Sequence, residues 1–146
     1  MYYFLDIDGV LNNEKDWSRP FSINKACVAC FRESLSYDEE PHIILSSTWR
    51  AGITNTGNKL CAGEDQKYIA QLGLHIEGAT PLSNKTRQEE IEYYIRRNKV
   101  LEYLVIDDDR TLFPRANEMN IYFTNYKTGL VSADVRKIMK LLKRIK

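Results

Sequence analysis

One pattern recurs along the chain and constrains its fold more than any other: a short apolar run that ends on a cluster of polar side chains. The first run is YYFL (2–5), which meets Asp6 and Asp8 in FLDIDGVLN, with Gly9 and Asn12 just beyond. IIL (43–45) leads into SSTWR, LEYLVI (101–106) into Asp107, Asp108 and Asp109, and IYF (121–123) into Thr124 and Asn125. Nearly continuous apolar runs of this length, rich in β-branched and aromatic residues, read as parallel strands buried on both faces.

The segments between the runs carry helical spacing. Residues 22–36 form one candidate helix with Ser22 as its cap, and 86–97 form a second with Ile91 and Ile95 one turn apart. Residues 132–145 form a third, also opened by a serine, with apolar side chains at 135, 138, 142 and 145. A shorter helix is expected over 65–72, ending at Gly73. Strands alternating with crossovers of this kind predict an α/β fold: a doubly wound, mostly parallel, Rossmann-like sheet with helices on both faces. Without a composition shift along its 146 residues, the chain reads as one domain over 1–146.

In such a sheet, ligands bind outside the carboxyl ends of the strands. The pattern of runs therefore gathers five of the nine aspartates, the three hydroxyls of SST and Arg50 on one rim. Carboxylates that dense repel one another unless a cation sits among them, and an all-oxygen ligand set favours Mg²⁺ over softer metals. Bulk charge adds nothing to this, since 21 basic residues balance 20 acidic ones at a net +1. The apolar runs are too short to span a bilayer, and the N-terminus lacks the basic head and long apolar core of a signal peptide, so a cytoplasmic protein with no membrane partner is expected. Cys27 and Cys30 fall within the first helical segment, with Cys61, His42 and His75 as further soft ligands, and read as reduced structural residues.

The motifs FLDIDGVLN, ILSSTWR, GATP, RQEEI, VIDDD and TGL resemble those of the haloacid dehalogenase-like (HAD) phosphatases. They are similar in particular to the small HAD domain of Swiss Army Knife RNA repair proteins, over about residues 2–142. The resemblance implies that Asp6 is a nucleophile forming an aspartyl-phosphate and Asp8 a general acid/base whose backbone carbonyl helps hold Mg²⁺. It implies that Ser46 bonds the transferring phosphoryl group and that Asp107 and Asp108 anchor the metal together with Asp6 and Asp8. For the stabilising cation, the match of RQEEI favours Arg87, with Lys85 close behind; many relatives carry Lys there. Gly9, Ser47 and Arg50 are the expected substrate contacts, the last because a guanidinium fork suits phosphate oxygens. Asp109 is expected in a solvated loop, Trp49 in packing, and His42 and His75 in structural roles.

Only 37 residues separate Asp8 from Ser46, which leaves room for a crossover helix but not for an inserted cap. The stretch AGITNTGNKLCAGED (51–65) has the length of a flap rather than a lid. An open site favours a phosphorylated substrate that brings its own bulk, such as a nucleic-acid end or a protein phosphoresidue. Arg136, Lys137, Lys140, Lys143, Arg144 and Lys146 add a basic face to the last helix. The expected activity is a Mg²⁺-dependent phosphomonoesterase acting on polynucleotide or nucleotide phosphate ends. The competing readings are a small-molecule phosphatase, a non-catalytic binding domain, and a receiver-type phosphoacceptor; SST at the end of the middle strand argues against the last.

Overall fold

A computed structural model describes residues 1–52, 55–56, 59–60 and 70–146. Five parallel strands, β1 (Tyr2–Leu5), β2 (His42–Leu45), β5 (Ile76–Ala79), β6 (Tyr103–Asp107) and β7 (Ile121–Phe123), form one sheet in the order β5-β2-β1-β6-β7. Strands β3 (Asn55–Thr56) and β4 (Lys59–Leu60) pair antiparallel by themselves. Three helices complete the described fold: α1 (Lys25–Ser34), α2 (Arg87–Asn98) and α3 (Ser132–Ile145).

The apolar runs look continuous because both faces of the sheet are covered, and the alternation emerges once the strands are in register. Tyr3, Leu5, Ile43, Leu45, Leu104 and Ile106 face one way and pack with Val28 and Phe31 of α1 and Ile138 of α3. Phe4, Ile44 and Val105 face the other way and pack with Ile91 and Tyr94 of α2. Phe4 meets Tyr94 edge to face, with ring centroids 5.4 Å apart.

Helix α1 is capped two residues later than expected, by Asn24 rather than Ser22: the Asn24 side chain accepts from the amides of Ala26 and Cys27. Ser132 is the first residue of α3 rather than its cap, and the Asp134 carboxylate accepts from the Val131 amide at 2.8 Å. Strand β5 follows no apolar run. The helix expected over 65–72 and Cys61 fall largely or wholly outside the described residues. Among the described residues no helix is long and apolar enough to cross a membrane.

Candidate active site

The chain builds β1, β2 and β5 outward in one direction, and α2 then carries it back across the sheet to β6 and β7. The strand order therefore reverses between β1 and β6, and a sheet opens its binding crevice at the carboxyl ends on either side of such a reversal. Asp6 and Asp8 lie at one lip, Asp107 and Asp108 at the other.

One residue past the paired positions Leu5↔Ile106, Leu5↔Leu45 and Leu45↔Ala79, adjacent strands present Asp107, Asp6, Ser46 and Thr80. The ladder continues for one more bond at each: the amide of Asp6 donates to Ile106, that of Ser46 to Leu5 and that of Thr80 to Leu45. Continuing the alternation, these four side chains belong to the face that α2 covers. Thr86 caps α2 by accepting from the Glu89 amide, which makes Arg87 the first helical residue and brings it over this row.

Arg87 Nη1 lies 2.8 Å from Asp107 Oδ2 and 3.3 Å from Asp6 Oδ1. Asp6, Asp107 and Asp108 each offer an oxygen, all within 4.8 Å of one another. Burial, with Asp107 next in effect, holds the Asp6 carboxyl well above the usual carboxylate range, despite the opposing pull of Arg87. Burial pushes Asp108 up to about 6, with the Asp107 carboxylate reinforcing it. Burial would depress Arg87, but Asp6 and Asp107 outweigh it and raise it above its ordinary value. Three carboxylates against one guanidinium leave a surplus of negative charge carried by hard oxygen donors, which fits a divalent cation. Asp109 stands apart, accepting from the Thr111 amide as the cap of a short turn over Arg110–Leu112.

The Asp8 carboxylate is outside this trio. Its Oδ1 accepts from Asn12 Nδ2 at 2.9 Å and its Oδ2 from the indole N–H of Trp49 at 3.0 Å. Asn12 is buried and fully committed: it also donates to the Ser22 carbonyl and accepts from the Gly9 amide and the Trp17 indole. Gly9 has φ of +82°, and a Cβ there would fall 2.2 Å from Asp108 Oδ2. The glycine is thus required by the close approach of Asp108, and its amide, already given to Asn12, is not offered to a substrate. Gly129, from TGL, plays a related part: its φ is +64°, and a Cβ there would lie 2.6 Å from the Asn12 carbonyl.

Ser46 is buried and its Oγ has no hydrogen-bond partner among the described residues; the same holds for Thr80 Oγ1. Two further expectations require correction. Arg50 is not an open phosphate contact: it is buried, with Nε bonded to the Thr80 carbonyl, Nη1 to the carbonyls of Ser46 and Ser47, and Nη2 to Glu90 Oε1 at 3.0 Å. Ser47 is buried beneath the turn it starts, where its Oγ accepts from the Trp49 amide. Of the two candidate cations, Arg87 joins the carboxylates, whereas Lys85 is exposed and forms no ion pair among the described residues.

The model of the family described as the HAD domain in Swiss Army Knife RNA repair proteins matches residues 2–135. The chain belongs to this family. No curated protein and no solved structure matches it. Membership gives the HAD domain a phosphatase-type hydrolase reading, and its five-stranded sheet is the Rossmann-like HAD core, with no cap domain among the described residues.

Four residues at the HAD site carried no assigned site role in the sequence reading: Asn12, Trp17, Trp49 and Thr80. Asn12 and Thr80 lie inside quoted motifs, which is the only signal the sequence offers for them. Trp49 does pack, edge to face with Phe21 at 5.0 Å, and bonds Asp8 as well. His42 and His75 lie away from the site, His42 pairing with Glu77 at 2.6 Å. Cys27 is buried, and burial raises its thiol to about 11, which makes it unreactive.

Proposed function

We propose that this HAD domain is a Mg²⁺-dependent phosphomonoesterase acting through an aspartyl-phosphate on nucleotide or polynucleotide phosphate ends. The observation that carries the reading is Arg87, held between Asp6 and Asp107, in the row that also presents the Ser46 hydroxyl, which has no partner among the described residues. An anion brought to this row meets a fixed cation and a free donor.

Asp6 attacks phosphorus, and the bond to the leaving oxygen breaks as Asp8 gives that oxygen its proton. Water then attacks the acyl phosphate, Asp8 takes the proton back, and inorganic phosphate departs with Asp6 restored. Arg87 and Ser46 hold the transferring oxygens throughout. Asp6, Asp107 and Asp108, with the Asp8 carbonyl, are the groups to hold the divalent cation, which when bound supplies positive charge against the phosphoryl oxygens. Asn12 and Trp49 fix the Asp8 carboxylate so that one of its oxygens can serve the leaving group.

Support for a nucleic-acid end comes from the family's description and from the exposed basic residues of α3. Asp6→Asn should abolish turnover of an aryl phosphate with the fold intact by circular dichroism. Appreciable residual turnover in a folded Asp6→Asn protein overturns the reading.

A further inference from the structure

Asp8 does more than border the carboxylates: it also lines a cavity of about 520 Å³ that Arg87 does not line. Trp17, Arg19, Phe21, Ser22 and Trp49 line it with Asp8. That volume is in the range of small-molecule sites and exceeds what a single phenol ring needs. Three aromatic rings form its walls, with Pro20 and the polar side chains of Asp8, Asn12, Arg19, Ser22 and Thr48 between them.

The walls are also held in place. Phe21 sits at φ of +54°, in the left-handed region that a bulky residue rarely adopts. Gln71 Nε2 donates to its carbonyl at 3.0 Å, and its ring stands edge to face against Trp49. Trp17 is 44% exposed, yet its indole N–H is fixed by Asn12 at 2.9 Å and one ring face stacks on Tyr126, with centroids 5.9 Å apart. Asn12 therefore ties this aromatic wall to the same carboxylate, Asp8, that faces the leaving oxygen.

We propose that this cavity is the leaving-group site and that it takes a nucleobase, stacked on the aromatic wall while the phosphate on its sugar lies at Asp6. The assignment rests on the phosphatase reading for its orientation, because Asp8 must face the leaving oxygen. Stacking on fixed rings recognises any base by its flat face, and an exposed cation, Arg19, stands on the same rim for a second phosphate. The sugar and base are then the bulk that a capless site leaves room for.

Both tryptophans of the chain, Trp17 and Trp49, line the cavity, so intrinsic fluorescence reads it directly. The full-length Asp6→Asn protein is titrated with adenosine 3′- and 5′-monophosphates, ribose 5-phosphate and O-phosphotyrosine. At least one adenosine monophosphate should quench saturably and bind about tenfold or more tighter than ribose 5-phosphate. Trp17→Leu in that background should lose about tenfold in nucleotide affinity, and Trp17→Phe should retain most of it. Nucleotides binding no tighter than ribose 5-phosphate, or phosphotyrosine binding tighter than both nucleotides, overturns the site. Turnover of acetyl phosphate by the unsubstituted protein tests the phosphatase reading separately, so either can fail while the other stands.

Discussion

The indole N–H of Trp49 donates to Oδ2 of Asp8 at 3.0 Å, across 41 residues of sequence. A tryptophan that packs against Phe21 thereby also fixes the carboxylate assigned to proton transfer. Trp49→Phe keeps the ring and removes the donor. Its expected effect is about a tenfold loss in kcat for an alkyl phosphate, in line with roughly 1.4 kcal/mol for one hydrogen bond to a charged group, and a smaller loss for an aryl phosphate. Equal losses on both substrates would remove the link to proton transfer.

Arg87 pairs with two buried carboxylates at once. Removing one partner of a buried pair costs roughly 3–5 kcal/mol, so Arg87→Ala should lower the melting temperature and cut turnover by about 10²-fold or more. Arg87→Lys retains a charge but not the fork and should recover only part of each. A melting temperature unchanged by Arg87→Ala would show that the pair carries no stability.

Burial raises Asp108 from 3.8 to about 6, so the folded state binds a proton that the unfolded state has released. A raised carboxyl pKa stabilises the fold only while protonated, and that stability is lost as pH rises from about 4 through about 6. Without divalent cation the protein should therefore melt lower at pH 7.5 than its trend from acid would suggest. Mg²⁺ should raise the melting temperature more at pH 7.5 than at pH 5. An equal shift at both values would separate the cation from this cluster.

Gly9→Ala adds a Cβ 2.2 Å from Asp108 Oδ2 at a φ of +82°. Strain of roughly 1–3 kcal/mol and a displaced Asp108 should follow, read as a lower melting temperature and a higher Mg²⁺ concentration for half-maximal activity. An unchanged Mg²⁺ titration would mean that Asp108 is not held by this contact.

Arg50 is bound by its own fold, so Arg50→Ala should lower stability by roughly 3–5 kcal/mol through the stranded Glu90 carboxylate. The double change Arg50→Met with Glu90→Gln should recover part of that loss. Denaturant unfolding distinguishes this from a substrate contact, which would raise KM and leave stability alone.

Four of the five strands of the main sheet were legible because covered faces make their runs apolar on both sides. Strand β5 was not: IEGA has one large apolar side chain and an exposed Glu77, since it lies at the sheet edge. The carboxylates were legible as the ends of runs, whereas the choice between Arg87 and Lys85 turned on which residue follows the cap Thr86. Arg50 misled because a guanidinium fork serves buried carbonyls as well as phosphate. Asn12 and Trp49 were given no chemistry because their roles depend on how the loop after β1 folds against the turn after β2, which no local pattern encodes.

The central strand carries a consequence for how the molecule is made. Asp6 directly follows β1, whose neighbour on one side, β6, lies about a hundred residues further along the chain. Until β6 is in place β1 has an open edge of tyrosine, phenylalanine and leucine, and pairing it closes that long loop. Such a sheet closes late and exposes a sticky edge while it waits. The carboxylate cluster then assembles in one step, because the strand that closes that edge also delivers Asp107 and Asp108 to Asp6.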